Sequence, residues 1–185
     1  MANKVEFGIS QLHVGTYADA DGTVTLGTPY HQKGAVSFSP EEQSEQNNFY
    51  ADNTIYWSGY SGGSIEGDLE AAMFDDEFKT QFLGYRALTN GGLANVKNAS
   101  KPNVYIAFQV EGDAEARKVI LYNCTLGAIT REYATIEESK EPATETLGVT
   151  CIGDNTTGVT MAVLKPGDTG YADLFTAPTA PAIAP

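Results

Sequence analysis

Ser64-Ile65-Glu66-Gly67-Asp68-Leu69-Glu70 alternates small or apolar residues with acids. A period of two puts Ile65, Gly67 and Leu69 on one side of an extended strand and Glu66, Asp68 and Glu70 on the other. Such a strand needs a sheet to cover its apolar side, and the flanking sequence supplies one. Upstream, Ala35-Val36-Ser37-Phe38-Ser39 alternates and is expected to stop at Pro40, which has no amide proton for a ladder. Thr54-Ile55-Tyr56-Trp57 restarts β-structure. Nearer the start, Val5-Glu6-Phe7-Gly8-Ile9 alternates and Leu12-His13-Val14 continues it. Asp21-Gly22, between Thr16-Tyr17 and Val24-Thr25-Leu26, has the composition of a two-residue hairpin turn. Downstream, Val104, Ile106, Phe108 and Val110 form one face of a long strand, and Gly112-Asp113 turns the chain. Val119-Ile120-Leu121-Tyr122 is apolar on both faces, so it is predicted to be central or doubly covered. Leu147 to Ile152 and Val159 to Leu164 read as further strands, joined through Gly153-Asp154-Asn155.

One helix interrupts this pattern. Phe74, Phe78 and Phe82 recur every four residues, with Leu83 beside them. Asp75, Asp76 and Glu77 occupy the first turn, where carboxylates suit the helix dipole. Gly84 is the stop. The expectation is an amphipathic helix of about ten residues laid against a sheet.

Composition narrows the function. The chain has 185 residues, 42% hydrophobic, with 11 basic against 24 acidic side chains and a formal charge of −13. Its length suits one domain. The balance argues against a surface that grips duplex DNA, which needs clustered Lys and Arg. No apolar run approaches the ~20 residues that span a bilayer, and Met1 to Glu6 lacks the apolar core of a secretory signal. Cys124, Cys151, His13 and His31 have no zinc-ligand spacing. The cysteines lie in apolar strand-like stretches and read as buried free thiols. The sequons at Asn98, Asn123 and Asn155 carry little meaning without a secretion signal.

Three segments could carry chemistry or contacts. Gly59-Tyr60-Ser61-Gly62-Gly63 matches a nucleophile elbow, but a strand rather than a helix follows, and both histidines precede the serine. It reads as a glycine turn between strands. Glu66, Asp68 and Glu70 could suit a hard cation. Same-face strand neighbours stand about 7 Å apart, too far for one ion, so a solvated acidic face is the simpler reading. Pro40 to Asn53 is a long polar, acidic loop without a core face, in which Phe49 and Tyr50 either anchor a partner or fold back on their own domain. No nucleotide-binding glycine motif is present. The charged stretch from Arg131 to Glu141 reads as a short helix or an arm. Ala177 to Pro185 reads as a flexible Pro/Ala-rich tail following a β domain at residues 1–176.

An ordered set of these stretches resembles a known family, the major tail proteins of long-tailed siphophages and related prophages. The resemblance runs from about Val5 to Ile152. Thr28-Pro29-Tyr30, Ser37-Phe38-Ser39-Pro40-Glu41, Asn48-Phe49-Tyr50-Ala51-Asp52 and Tyr60-Ser61-Gly62-Gly63-Ser64-Ile65-Glu66-Gly67 carry it. So do Phe78-Lys79-Thr80-Gln81-Phe82-Leu83-Gly84-Tyr85 and Arg131-Glu132-Tyr133. The resemblance implies a mainly β fold, two packed antiparallel sheets in a sandwich or split barrel, with one flanking helix. It implies a structural virion protein, not an enzyme, without cofactor or bound metal. Hexameric rings of such subunits stack into a tube that conducts DNA without binding it specifically. Its partners are its own copies and the tape-measure, tail-tip and terminator proteins, with no membrane involved, and assembly takes place in the bacterial cytoplasm. Phe49 and Tyr50 then fall at an inter-ring contact, and Glu66, Asp68 and Glu70 become candidates for the lumen wall. Another ring-forming virion protein, a terminator or head decoration protein, is the nearest alternative. A carbohydrate-binding sandwich using Tyr56, Trp57 and Tyr60 is another.

Overall fold

A computed structural model describes residues 8–133, 135 and 142–183. In chain order the elements are β1 (Gly8–Ala20), β2 (Thr23–Leu26), β3 (Tyr30–His31), β4 (Ala35–Ala51), β5 (Thr54–Ala71) and α1 (Asp76–Phe82). They continue with β6 (Arg86–Ala87), β7 (Leu93–Ala94), β8 (Val104–Glu111), β9 (Lys118–Arg131), β10 (Glu145–Cys151) and β11 (Met161–Leu164). These strands make two antiparallel sheets. The larger runs β2-β1-β8-β9-β10-β5-β4, with β3 added to β1 and β11 to β9; the smaller is β6-β7. The larger sheet is not closed. Val5 to Phe7, predicted to open the first strand, lie outside the described residues, as do Ala134, Ile136 to Glu141, Ala184 and Pro185.

β9 bends the sheet. It takes four residues, Leu121 to Cys124, where β8 takes three, Ile106 to Val104. Asn123 in this bulge has φ of 51°, a conformation that Asn tolerates better than most residues. Before the bulge β9 pairs with β8 and β11; after it, with β10. The bend brings distant strands over one core, to which β1 gives Leu12 and Val14, β5 gives Ile65 and Leu69, and β10 gives Leu147 and Val149. This is consistent with the expected sandwich.

The helix completes that core. Phe74, Phe78 and Phe82 are all buried, and successive rings lie 5.0 and 5.1 Å apart. The helix is seven residues rather than about ten, because Phe74 precedes the cap residue Asp75. The Phe74 amide donates to the buried Glu145 carboxylate at 2.8 Å, and Lys79 and Arg131 pair with the same group. A carboxylate removed from water this way needs those partners, so it fixes the helix on the edge of β10.

The first half of β9, from Lys118 to Cys124, is covered on both faces, as its apolar run predicts. Its second face carries Ile120 and Tyr122, beside Tyr105 and Ala107 of β8, under Leu174 and Phe175 of the segment after β11. Lys118 sits over the rings of Tyr171 and Phe175 and donates to the Tyr171 carbonyl. His13 stacks between His31 and Phe175, at 4.7 and 4.6 Å. Thr179 still touches this layer, its carbonyl accepting from the Tyr122 hydroxyl. Asp154 ties the joint from β10 to β11: buried, it accepts from the hydroxyls of Tyr17 and Thr157 and from the amides of Thr156 and Thr157.

The structure corrects four expectations. Pro40 does not end a strand, because β4 is an edge and tolerates a missing donor. Pro40 to Ala51 is not a loop but the second half of β4, with only Asp52 and Asn53 turning. Gly59 to Gly63 is not a turn but lies inside β5. Cys124 and Cys151 are not free thiols; they are bonded to each other. The β9–β10 register sets them directly opposite, with Cα atoms 3.9 Å apart.

Unfolded without reductant, the chain should therefore show no thiol to Ellman's reagent, and two after reduction. Burial first of all, aided by His31 and Lys118, lowers the His13 pKa below its usual 6.5, against the Gln11 carbonyl that raises it. The unfolded chain thus takes up this proton at higher pH than the folded one, and stability should fall as pH drops below 6.5. Replacing His13 with Phe, which keeps the stack, should flatten the melting temperature between pH 7 and 5.5.

Candidate functional site

Register alone assembles one surface. Glu66, Asp68 and Glu70 of β5 lie opposite Glu41, Ser39 and Ser37 of β4, and opposite Thr150, Gly148 and Thr146 of β10. Thr150 and Thr146 lie in turn opposite Thr125 and Thr130 of β9. Directly paired residues share a face, so all of these face away from the core that holds Ile65 and Leu69. The three predicted acids are indeed together on the outer side. The wall around them is one of carboxylates, hydroxyls and glycine, with no cation at any of these positions. Glu70 accepts from Ser37 and Thr144 at 3.0 and 2.6 Å. Glu41 and Glu66 stand directly opposite each other, an arrangement that disfavours the pair. Glu41 escapes sequence reading because a residue assigned to a loop has no face.

The second surface is an arm. Past Ile65 the β4–β5 pair runs on without β10, whose last partner is Cys151. About ten residues of each strand remain, so the arm reaches about 30 Å beyond the sheet. Its turn is Asp52-Asn53, with φ of 51° and 61°, the geometry of a two-residue hairpin that Asn and Asp accommodate. Neither face meets a core. Phe49, Tyr50, Ile55, Tyr56, Trp57 and Tyr60 are all more than half exposed. Phe49 pairs with Trp57 on one face, while Tyr60 pairs with Gln46 on the other. The three aromatics considered as a sugar platform therefore do not share a plane. The Trp57 ring lies over Gly59, where a Cβ would have to displace it. Polar rungs hold the strands in register: Gln46 to Ser58 at 3.0 Å and Asn47 to Ser61 at 2.6 Å. An isolated two-stranded ribbon is marginal in water, and an apolar cluster of this kind marks a contact.

Ser61 accepts a hydrogen bond from Asn47, while His13, buried, and His31, exposed, stack on each other on β1 and β3. Among the described residues no group of three or more His, Cys, Asp or Glu is placed to hold a metal ion, and no helix is long and apolar enough to cross a membrane. A cleft of about 370 Å³ opens between Ile9, Phe38, Phe108, Val110, Met161 and Val163. Its one charged lining residue, Arg117, pairs with Asp113 at 2.6 Å. That bond and the amides of Glu115 and Arg117 hold the Asp113 carboxyl down at about 2, against a smaller effect of burial. This pair closes the turn from β8 to β9.

Comparisons with known proteins bear on the family and the fold. Residues 2–160 match the family model described as phage tail tube protein. No curated protein matches the chain. Among solved structures, the tube-terminating cap of the anti-feeding prophage superposes with a TM-score of 0.50 at 10% identity, covering 88% of this chain and 95% of that one. A chain of the sheath–tube complex of an extracellular contractile injection system, in its extended state, gives 0.48 at 10% identity, covering 84% and 88%.

Proposed function

The chain belongs to the phage tail tube protein family, and from that premise we propose that it forms hexameric rings which stack into the tail tube and conduct DNA. As a family member it is a structural component of a virion tail. The tail is of the long, siphophage type, assembled in the bacterial cytoplasm with tape-measure, tip and terminator proteins. The outer face of β4, β5, β10 and β9 forms the lumen wall, and the arm makes the contact between rings.

The observation that carries this reading is the outer face around Glu41, Glu66, Asp68 and Glu70, whose paired positions among the described residues hold no Lys or Arg. Duplex DNA presents one charge per ~1.7 Å of its axis, so a basic wall would hold it and an acidic one lets it slide. Exposed charges act over about 8 Å at physiological salt. Only residues on the wall itself count, whatever the net charge of the subunit. The arm supplies the cohesion. Burying three of its aromatic side chains contributes about 5–9 kcal/mol, comparable with the cost of fixing one subunit on another.

Negative-stain electron microscopy of the purified chain across a concentration series should show hollow tubes of stacked rings. Single rings would favour a terminator, and monomers throughout would favour the solitary carbohydrate-binding sandwich. Replacing residues 44–63 with Asn-Gly should leave a folded chain that forms no tubes; tubes from that variant would remove the arm from the contact. Glu66→Lys, Asp68→Lys and Glu70→Lys together should leave tubes intact and slow DNA ejection from virions. Ejection at the normal rate would place these residues away from the lumen.

A further inference from the structure

Charge along the chain is sharply divided. Between Lys33 and Lys79 there are ten acidic residues and no Lys or Arg. From Phe78 to Val110 there are four basic residues and no acid. The first stretch includes the whole arm, with Glu42, Glu45 and Asp52 exposed along it. The second includes the small sheet β6-β7 and the strap that follows it. Arg86 and Lys97 are exposed there, next to Leu88 and Val96, which are 49% and 37% exposed.

This basic segment is firmly seated. Its start is fixed where Gly84, at φ of 73°, packs on Ala99 and Ser100. Its end is fixed by the Lys101 ammonium, which donates to the carbonyls of Leu126 and Gly127. Arg86 pairs with Ala94, and Ala87 with Leu93, across the β6-β7 ladder. Among the described residues, neither Arg86 nor Lys97 forms an ion pair with the arm or with any other acid of its own chain.

We propose that the segment from Arg86 to Lys101 is the seat for the arm of a second copy of this chain. This rests on the tube reading and names the surface that the arm reaches. Subunits with a charge of −13 repel one another. A contact made by an anionic arm has to bring cations to meet it. Arg86 and Lys97 supply them from a strap anchored at both ends, and Leu88 and Val96 give the aromatic side chains an apolar surface. Arm and seat are different parts of the subunit, so the contact is head-to-tail. Such contacts close into rings or propagate as filaments.

Arg86→Glu with Lys97→Glu tests this, read by sedimentation and electron microscopy beside the unaltered chain. The double variant should raise the concentration at which tubes appear by at least about tenfold, the effect of ~1.4 kcal/mol at one contact. Glu42→Lys, Glu45→Lys and Asp52→Lys together should do the same. All five changes in one chain should restore assembly, because the charges are then exchanged rather than lost. Carbodiimide coupling of mixed heavy and light chains gives a second readout: Lys97 joined to Glu42, Glu45 or Asp52 between copies. Unaltered tubes from the Arg86/Lys97 variant, or no recovery in the five-fold variant, would overturn the seat and leave the tube reading standing. An unaltered chain that stays monomeric and yields no cross-link would overturn both. Duplex DNA retained by the unaltered chain and released by the double variant would make the segment a DNA contact instead.

Discussion

Burial of the first half of β9 on both faces is the constraint from which the rest of the fold follows. Before the bulge at Asn123, side chains of one parity, Val119 and Leu121, enter the core shared with the helix, and those of the other, Ile120 and Tyr122, enter a second core. A strand with no wet face demands two covers. One is made by the curled sheet with the three phenylalanines; the other by the segment that follows β11. The bulge then redirects the strand, so that β10 and β5 continue the sheet with only one face buried.

That change of character along a single sheet produces the two candidate surfaces. Where both faces of β9 are covered, nothing is left to present. Past the bulge the outer side of β10, β5 and β4 is free, and it carries hydroxyls and carboxylates. Farther out still, β4 and β5 lose β10 and with it the core, becoming an arm with two wet faces and six exposed apolar side chains. Each step away from β9 removes one layer of burial and leaves one more face available for contacts with other molecules. The arm's cohesion in isolation comes from polar rungs and a well-suited turn, which suits a part whose stabilising contacts lie on a partner.

The family assignment and the geometry support each other at different levels. The family match over residues 2–160 says what class of object the chain builds. The solved-structure likeness at 10% identity speaks to the fold alone. Residue placement comes from register: it gathers the acids on one face with Glu41 added to them, and it separates Trp57 from Tyr60.

Much of this was legible in the sequence. Alternation from Ile65 to Glu70 separated core from wall, the doubly apolar run at Val119 identified the central strand, and the phenylalanine spacing located the helix. Each is a local pattern imposed directly by burial, and burial leaves a periodic trace. The arm reads as a loop in the sequence because strands without a core face leave no such trace. The Cys124–Cys151 bond and the Glu41–Glu66 pair were beyond sequence reading because both depend on register. Register is set by how distant strands align once the sheet has curled, and a shift of one residue would turn every side chain to the other face. The sequence by itself determined which residues must leave water. Tertiary structure decided which of them meet, because pairing between distant strands is fixed by the packing of the whole sheet.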